Sequence, residues 1–231
     1  MKKLYFVTGD KGGVGKTFTT RVLDSYLDAQ NKTYISFDTD KANSTFKRYS
    51  INNANLIDLD EKGALDEAFE DVLLNSDTEY LLVDCAARTL DSIIKWMMEV
   101  DFNSIAKELE LVTSFFFVLG QDKDSLQILN DIIKTKNEKQ LNFNLILVKN
   151  HGRNTDFSLF ETSKLPQLVE SLGIKTIEIN ELLPKAVKNL DRFNLSFSAS
   201  ISSEELGLFD KKRVESFLDT SFKNISDSGV I

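Results

Sequence analysis

The run Thr8-Gly9-Asp10-Lys11-Gly12-Gly13-Val14-Gly15-Lys16-Thr17 gives the strongest indication of fold in this chain. It follows an apolar segment at 3–8, which predicts a β-strand, and it precedes a helical pattern at 17–30. A strand, a glycine-rich loop and a helix in this order form the context that a phosphate-binding loop needs. The sequence therefore predicts a nucleotide site near residue 12.

The residue types in this loop suit phosphate chemistry. Gly12, Gly13 and Gly15 allow backbone N–H groups to converge on phosphate oxygens, and the helix N-terminus adds its dipole. Lys16 is expected to reach the β- and γ-phosphates, and the Thr17 hydroxyl is expected to hold Mg²⁺. The predicted nucleotide contacts in this region are Lys11, Gly12, Gly13, Val14, Gly15, Lys16, Thr17 and Phe18.

One position departs from the strict phosphate-loop pattern, because Asp10 stands where a glycine is expected, and Lys11 adds a second lysine. The run 11–17 resembles the deviant Walker A motif of the ParA/MinD superfamily of ATPases. The resemblance implies ATP and Mg²⁺ as cofactors. It also implies a homodimer on ATP binding, in which Lys11 reaches the phosphates in the partner's site. The alternative is a glycine-rich turn with two solvated lysines.

Two carboxylates follow the second predicted strand. Asp38 and Asp40 are two residues apart, so both side chains lie on one face if the strand continues. The resemblance implies that Asp40 positions the attacking water, and that Asp38 has a more structural role near Lys11 or Mg²⁺. The predicted catalytic residues are thus Lys11, Lys16 and Asp40. The alternative is that both aspartates cap the following helix. Lys41 stands where many relatives have proline.

A third carboxylate ends the apolar segment Tyr80-Leu81-Leu82-Val83-Asp84, which resembles a Walker B strand. Asp84 is expected to hold a Mg²⁺ water from the outer shell, so the predicted metal residues are Thr17, Asp38 and Asp84. In the family this aspartate usually precedes a switch segment with proline or glycine. Here Cys85-Ala86-Ala87-Arg88 follows, which differs from that pattern.

Two later positions are candidates for the base. Asn150 ends a predicted strand and resembles the family's asparagine that recognises adenine, since an amide can give and take one hydrogen bond with the N6 and N7 edge. The alternative is a turn residue before Gly152. Pro184 resembles the loop that borders the base in relatives.

Apolar segments and helical patterns alternate along the chain. Strands are predicted at 3–8, 33–38, 79–85, 113–119, 143–149 and 174–179, with a weak edge strand at 54–59. Helices are predicted at 17–30, 61–75, 89–109, 123–136, 164–172 and 208–224. Several strands are continuously apolar, as in parallel sheets that are covered on both faces. The pattern predicts an α/β fold with a doubly wound, mostly parallel sheet and helices on both faces, in one domain over 1–231.

Composition narrows the function classes. The single cysteine excludes an internal disulfide framework and a Cys-pair metal site. The sequence shows neither a signal-peptide pattern nor a long apolar run, which predicts a cytoplasmic protein without membrane association. The net charge of −8 argues against a general affinity for nucleic acid, although basic residues recur at 185–192 and 211–213. Direct DNA binding is therefore possible but not strongly indicated.

The run 38–46 looks most like the TraL/MobD-type ATPases of plasmid mobilisation and stability. The resulting hypothesis is a Mg²⁺-ATPase switch in DNA partition or transfer, with an adaptor or transfer protein as partner and with slow, partner-stimulated hydrolysis. One alternative is an ATP-dependent small-molecule ligase of the dethiobiotin-synthetase or cobyrinate kind. Another is a switch that binds ATP with negligible hydrolysis, which the unusual segment at 85–88 would suit.

Overall fold

The computed structural model describes residues 1–9 and 11–231, which contain one seven-stranded sheet. Its strands are β1 (Lys3–Thr8), β2 (Tyr34–Asp38), β3 (Asn55–Leu56), β4 (Tyr80–Asp84), β5 (Val112–Val118), β6 (Asn144–Asn150) and β7 (Lys175–Ile179). Their order is β3-β2-β4-β1-β5-β6-β7, and every neighbouring pair is parallel. The carboxyl ends of all seven strands therefore point to the same edge of the sheet.

Helices occupy the connections between these strands. They are α1 (Lys16–Ala29), α2 (Thr45–Tyr49), α3 (Ala64–Asn75), α4 (Leu90–Glu99), α5 (Phe102–Glu108), α6 (Lys123–Glu138), α7 (Ser158–Glu161), α8 (Leu165–Ser171), α9 (Pro184–Arg192), α10 (Phe197–Ser202) and α11 (Leu208–Ser228). No helix within the described residues is both long enough and apolar enough to cross a membrane.

The sheet is covered on both faces, as the continuous apolar strands predict. Along β1, Leu4 and Phe6 pack into one core with α3, α4, α5 and α6. Tyr5 and Val7 point the opposite way, into a second core with α1, α9, α10 and α11. Alternate side chains of one strand thus serve two separate cores, which is the arrangement of a doubly wound α/β fold.

The predicted strands at 3–8, 33–38, 79–85, 113–119, 143–149 and 174–179 are confirmed with ends within one residue of the observed ones, and the edge strand at 54–59 is confirmed as β3. The predicted helix at 89–109 is wrong as a single element, because the helical conformation is interrupted between α4 and α5. Asp101 takes a left-handed backbone conformation there with φ 48°, and its carboxylate accepts a hydrogen bond from Ser104 Oγ at 2.6 Å. The short helices α2, α7, α9 and α10 were not among the predicted elements.

A buried carboxylate in α1 forms a hydrogen bond with the segment that follows α2. Asp24 is 1% exposed and accepts hydrogen bonds from the Ile51 backbone N–H at 2.9 Å and from Ser36 Oγ at 3.4 Å. Burial raises the pKa of Asp24 from 3.8 to about 6. The folded chain therefore binds a proton at Asp24 more tightly than the unfolded chain does.

Because the folded pKa of Asp24 lies above the unfolded value, ionisation of this group lowers stability as pH rises from about 4 to 7. We expect the free energy of unfolding to lose about 2 kcal/mol from Asp24 between about pH 4.5 and 7.5. Asp24→Asn should lack this pH-dependent loss. The difference in free energy of unfolding between parent and variant should therefore change by about 2 kcal/mol between the two pH values. Urea unfolding at both pH values measures it, and a gap that is independent of pH would contradict the assignment.

Candidate functional site

The glycine-rich loop connects the end of β1 to the start of α1, at the carboxyl edge of the sheet. Gly13 and Gly15 have positive φ values of 88° and 106°, which L side chains rarely adopt. A Cβ on Gly15 would lie 2.5 Å from Asn150 Nδ2, so this position also needs glycine for space. Lys16 Nζ turns back over the loop and donates to the Lys11 carbonyl oxygen at 2.8 Å. The loop thus has the close backbone approach that phosphate binding requires.

Asp84 ends β4 directly beneath the first turn of α1. Its carboxylate accepts hydrogen bonds from Thr17 Oγ1 at 2.7 Å and from Thr20 Oγ1 at 2.6 Å. Burial raises the pKa of Asp84 to about 7, although both hydroxyls and the nearby Lys16 favour the charged form. A divalent cation beside Thr17 would stabilise the ionised carboxylate further. The pair Thr17–Asp84 therefore fits a Mg²⁺ site.

No cluster of three or more His, Cys, Asp or Glu side chains able to hold a metal occurs among the described residues. Mg²⁺ commonly binds through only one or two protein ligands, with water and substrate phosphates supplying the rest. The arrangement of Thr17 and Asp84 therefore suits Mg²⁺ that arrives with a nucleotide.

Asp38 ends β2 and Asp40 follows two residues later, and the two carboxylates have different partners. Asp38 is fully buried, and its two oxygens accept from the backbone N–H groups of Asp40 at 2.9 Å and of Lys47 at 3.0 Å. Burial is the main cause that raises the pKa of Asp38 above its ordinary value. Asp38 thus fixes the chain between β2 and α2, and its predicted role near Lys11 or Mg²⁺ stays a prediction.

Asp40 lines the cavity beside the loop and also accepts a hydrogen bond from the Asn43 backbone N–H at 3.0 Å. In the alternative interpretation both aspartates cap the following helix; Asp38 does accept from the Lys47 N–H in α2, whereas Asp40 contacts Asn43, which precedes α2. This contact does not exclude a second use of Asp40, because the same side chain borders the cavity.

Two adjoining cavities lie at this edge of the sheet. The first has a volume of about 290 Å³ and brings together Lys16, Thr17, Asp40 and Asp84. The second has a volume of about 260 Å³ and is bordered by Leu182, Pro184, Lys188 and Asp191. Phe18 and Arg153 line both cavities. The first cavity combines a cation, a hydroxyl and two carboxylates, and the second includes Pro184 in its lining. Contact of Pro184 with a base stays a prediction.

Asn150 lies at the end of β6 and is fully buried. Its Nδ2 is 3.4 Å from the Gly15 carbonyl oxygen, and its Oδ1 accepts from the Gly152 N–H at 3.1 Å. The amide therefore holds the loop and its own turn together, in agreement with the turn alternative. Adenine recognition by Asn150 stays a prediction.

The Lys11 side chain does not line the cavity and contacts the start of α6 instead. Its ammonium group contacts Asp122 Oδ2 at 3.1 Å and Asp124 Oδ2 at 2.7 Å, and its side chain is 45% exposed. The hydrogen bonds that Lys11 donates to Asp124, the larger cause, and to Asp122 raise the pKa of Lys11 above its ordinary value. An exposed pair of this kind contributes little stability, so Lys11 can leave it at small cost.

Three residues at the site were not singled out from the sequence. Thr20 bonds Asp84, and its spacing of three from Thr17 is a signal of a shared helix face. Asn154 Nδ2 donates to the Val14 carbonyl oxygen at 2.9 Å and ties the loop to the turn after β6. Arg153 lines both cavities. For Arg153 and Asn154 the sequence gives no signal, because only the fold brings that turn over the loop.

Comparison with protein families finds a match to the model described as the CobQ/CobB/MinD/ParA nucleotide binding domain, over residues 5–197. The protein MobD of Acidithiobacillus ferrooxidans is 24% identical over 210 residues, which cover 89% of each chain. The range matched by the family model includes the glycine-rich loop, both carboxylate strand ends and Asn150. The predicted resemblance to this superfamily and to MobD-type proteins is confirmed.

Solved structures share the fold at low sequence identity. A Borrelia burgdorferi B31 protein assigned to plasmid partition and bound to AMPPNP has a TM-score of 0.55 at 15% identity, over 96% of this chain and 99% of its own. The septum site-determining protein MinD of Pyrococcus horikoshii OT3, complexed with Mg-ADP, has a TM-score of 0.53 at 13% identity, over 100% of both chains. The predicted fold class is confirmed by these likenesses.

Proposed function

Because this chain belongs to the CobQ/CobB/MinD/ParA nucleotide-binding domain family, we propose that it is a Mg²⁺-dependent ATPase that acts as a molecular switch. In this proposal residues 1–231 form one P-loop ATPase domain. ATP binding joins two copies into a homodimer with nucleotide at the interface, and slow hydrolysis separates them.

One observation carries the proposal: Lys16, Thr17 and Asp84 converge on a single cavity of about 290 Å³ beneath the glycine-rich loop. A cation, a hydroxyl and a buried carboxylate are the three groups that a Mg²⁺–nucleotide complex needs there. The hydrogen bond between Thr17 and Asp84 already sets their spacing at 2.7 Å. A glycine-rich turn with two solvated lysines would not require the buried carboxylate of Asp84 at this position.

Catalysis in this proposal depends on position and charge. Thr17 and Asp84 would hold Mg²⁺, which would offset the negative charge of the phosphate oxygens. Lys16 stabilises the charge that develops on the β- and γ-phosphates. Asp40 orients the attacking water from the cavity wall. Lys11 leaves Asp122 and Asp124 and contacts phosphates in the other copy of a two-fold dimer.

The proposed biological setting is plasmid partition or mobilisation in the cytoplasm, where ATP and Mg²⁺ are both available. The similarity to MobD supports this setting. We propose a protein partner that stimulates hydrolysis. Direct DNA contact remains a weaker proposal, because Lys212 pairs with Glu215 and Arg213 pairs with Asp210, which offsets the charge of the basic run at 211–213.

A second candidate is a switch that binds ATP with negligible hydrolysis. The observation that favours it is the engagement of Asp40, whose carboxylate accepts hydrogen bonds from both the backbone and the side chain of Asn43. An ATP-dependent ligase shares the loop and the sheet but would couple ATP turnover to a carboxylate substrate. Turnover with ATP alone, followed by addition of carboxylic acids, separates these functions.

Asp40→Ala is expected to bind Mg–ATP like the parent and to hydrolyse it at least about 100-fold more slowly, because the attacking water loses its carboxylate while the phosphate contacts remain. Phosphate release at saturating ATP measures the effect. Asn43→Ala is the control, since it removes only one donor to Asp40 and should keep hydrolysis. Equal rates for Asp40→Ala and the parent would remove Asp40 from the mechanism, and a parent without turnover would favour the non-hydrolysing switch.

A further inference from the structure

A surface groove lies between α3 and the α4–α5 pair, on the sheet face opposite α1. Its volume is about 370 Å³, and its floor is formed by Phe69 and Phe102, each 1% exposed. Trp96 and Ile105 form one wall, and Leu74, which is 57% exposed, forms the rim of the other. The groove is thus an apolar channel at the surface, outside the candidate nucleotide site.

The rim of this groove carries negative charge. Asp66, Glu70 and Glu108 line it, and no lysine or arginine is among the described residues that do so. Asp66 accepts a hydrogen bond from Trp96 Nε1 at 2.7 Å, whereas neither Glu70 nor Glu108 forms an ion pair with a described cation. The sequence of α3 itself contains four carboxylates and no basic residue. An apolar floor inside a carboxylate rim favours an occupant that is apolar on one side and cationic on its flanks.

The dimensions suit a helix. With 12 residues, α3 is about 18 Å long, which corresponds to roughly three helical turns of a partner laid along it. Helix-in-groove recognition places apolar anchors at i, i+3, i+4 and i+7 in such a channel. We propose that the groove between α3 and α4–α5 binds a basic amphipathic helix of a partner protein.

A second copy of this chain is the less suitable occupant. Its basic helix α9 has Ala186 and Leu190 fully buried, so the apolar face of α9 is already in use. Its exposed apolar pair, Leu208 and Phe209, lies in a segment, 204–215, where four carboxylates outnumber three basic residues. Neither surface complements an acidic groove.

The test uses the only tryptophan of the chain, Trp96, as a reporter within the groove. The probe is a synthetic helical peptide of about 18 residues, with leucines on one face and lysines and arginines on the other. We expect a saturable blue shift of Trp96 emission at one peptide per chain, without nucleotide. A peptide with glutamate at the basic positions, and a scrambled basic peptide, should bind at least about tenfold more weakly.

Charge reversal locates the binding. The double substitution Glu70→Lys/Glu108→Lys should lower the affinity for the basic peptide at least about tenfold. Asp219→Lys/Asp227→Lys, on exposed positions of α11, changes net charge equally and should leave affinity within about twofold. Leu74→Ala should weaken binding, whereas Leu159→Ala, at a similarly exposed leucine, should not.

Equal weakening by the two double reversals, or an unchanged emission spectrum, would overturn the proposal. Self-association of the parent that Glu70→Lys/Glu108→Lys abolishes would instead identify a second copy as the occupant and also overturn it. Because no nucleotide is present, these outcomes are independent of the proposed ATPase function.

Discussion

Lys16→Ala is expected to abolish the stabilisation that Mg–ATP gives to the parent chain. In the parent, ATP at 100 times its dissociation constant should add ~2.7 kcal/mol, which corresponds to a rise of ~5–10 °C in melting temperature for a chain of this size. Lys16 lines the phosphate cavity and is buried under the loop, so its loss removes the cation that faces the β- and γ-phosphates. Thermal unfolding with and without Mg–ATP measures both shifts.

The control for this prediction is Lys32→Ala, at an exposed lysine just beyond the opposite end of α1. It should keep the full ATP-dependent shift. The same measurement with GTP tests Asn150, because an amide that reads the adenine edge should give a smaller shift with guanine. Equal shifts with ATP and GTP would exclude that assignment. A full ATP shift in Lys16→Ala would show that the nucleotide binds elsewhere.

Lys11→Ala is expected to bind Mg–ATP as a monomer and to lose nearly all hydrolysis. In a two-fold dimer each copy would supply one lysine to the other site, so the substitution removes two charge-assisted contacts at once. The expected loss of rate is about 10³-fold, by analogy with cations that act in trans on phosphoryl transfer. Phosphate release and ATP-dependent thermal shift, measured on the same preparation, separate hydrolysis from binding.

The structure supplies a specific control for Lys11. Its ammonium group contacts Asp122 and Asp124 within the same chain. If this internal contact were the function of Lys11, Asp122→Asn/Asp124→Asn would reproduce the defect of Lys11→Ala. If Lys11 acts on the partner's phosphates, the double asparagine variant keeps hydrolysis, because its lysine is then released from both carboxylates.

The sheet was predictable because its strands carry a strong local signal. The runs 80–83 in β4 and 115–118 in β5 are continuously apolar, so a buried parallel sheet explains them with few alternatives. The break between α4 and α5 was not predictable. It depends on a left-handed conformation at Asp101, which has no glycine or proline to signal it in the sequence.

The site was predictable where chemistry and spacing are local, as in the loop at 11–17 and in Asp84. Contacts across the fold were not. The sequence could not show that both carboxylate oxygens of Asp38 accept hydrogen bonds from backbone N–H groups that follow it. Nor could it show that Lys11 pairs with carboxylates at the start of α6. Arg153 and Asn154 were not identified for the same reason, since Phe18 and Val14, which they contact at the loop, are more than 100 residues earlier in the chain.

Light scattering after size exclusion on Asp40→Ala, with and without Mg–ATP, tests the central claim most directly. This variant should retain ATP because it does not hydrolyse it, so the dimer should persist long enough for its mass to be measured. We expect 26.2 kDa without nucleotide and twice that mass with Mg–ATP, and the mass of one chain again when Lys11→Ala is added. A mass of one chain under all conditions, or a dimer that the loss of Lys11 leaves intact, would contradict the nucleotide-bridged dimer and favour the ligase alternative.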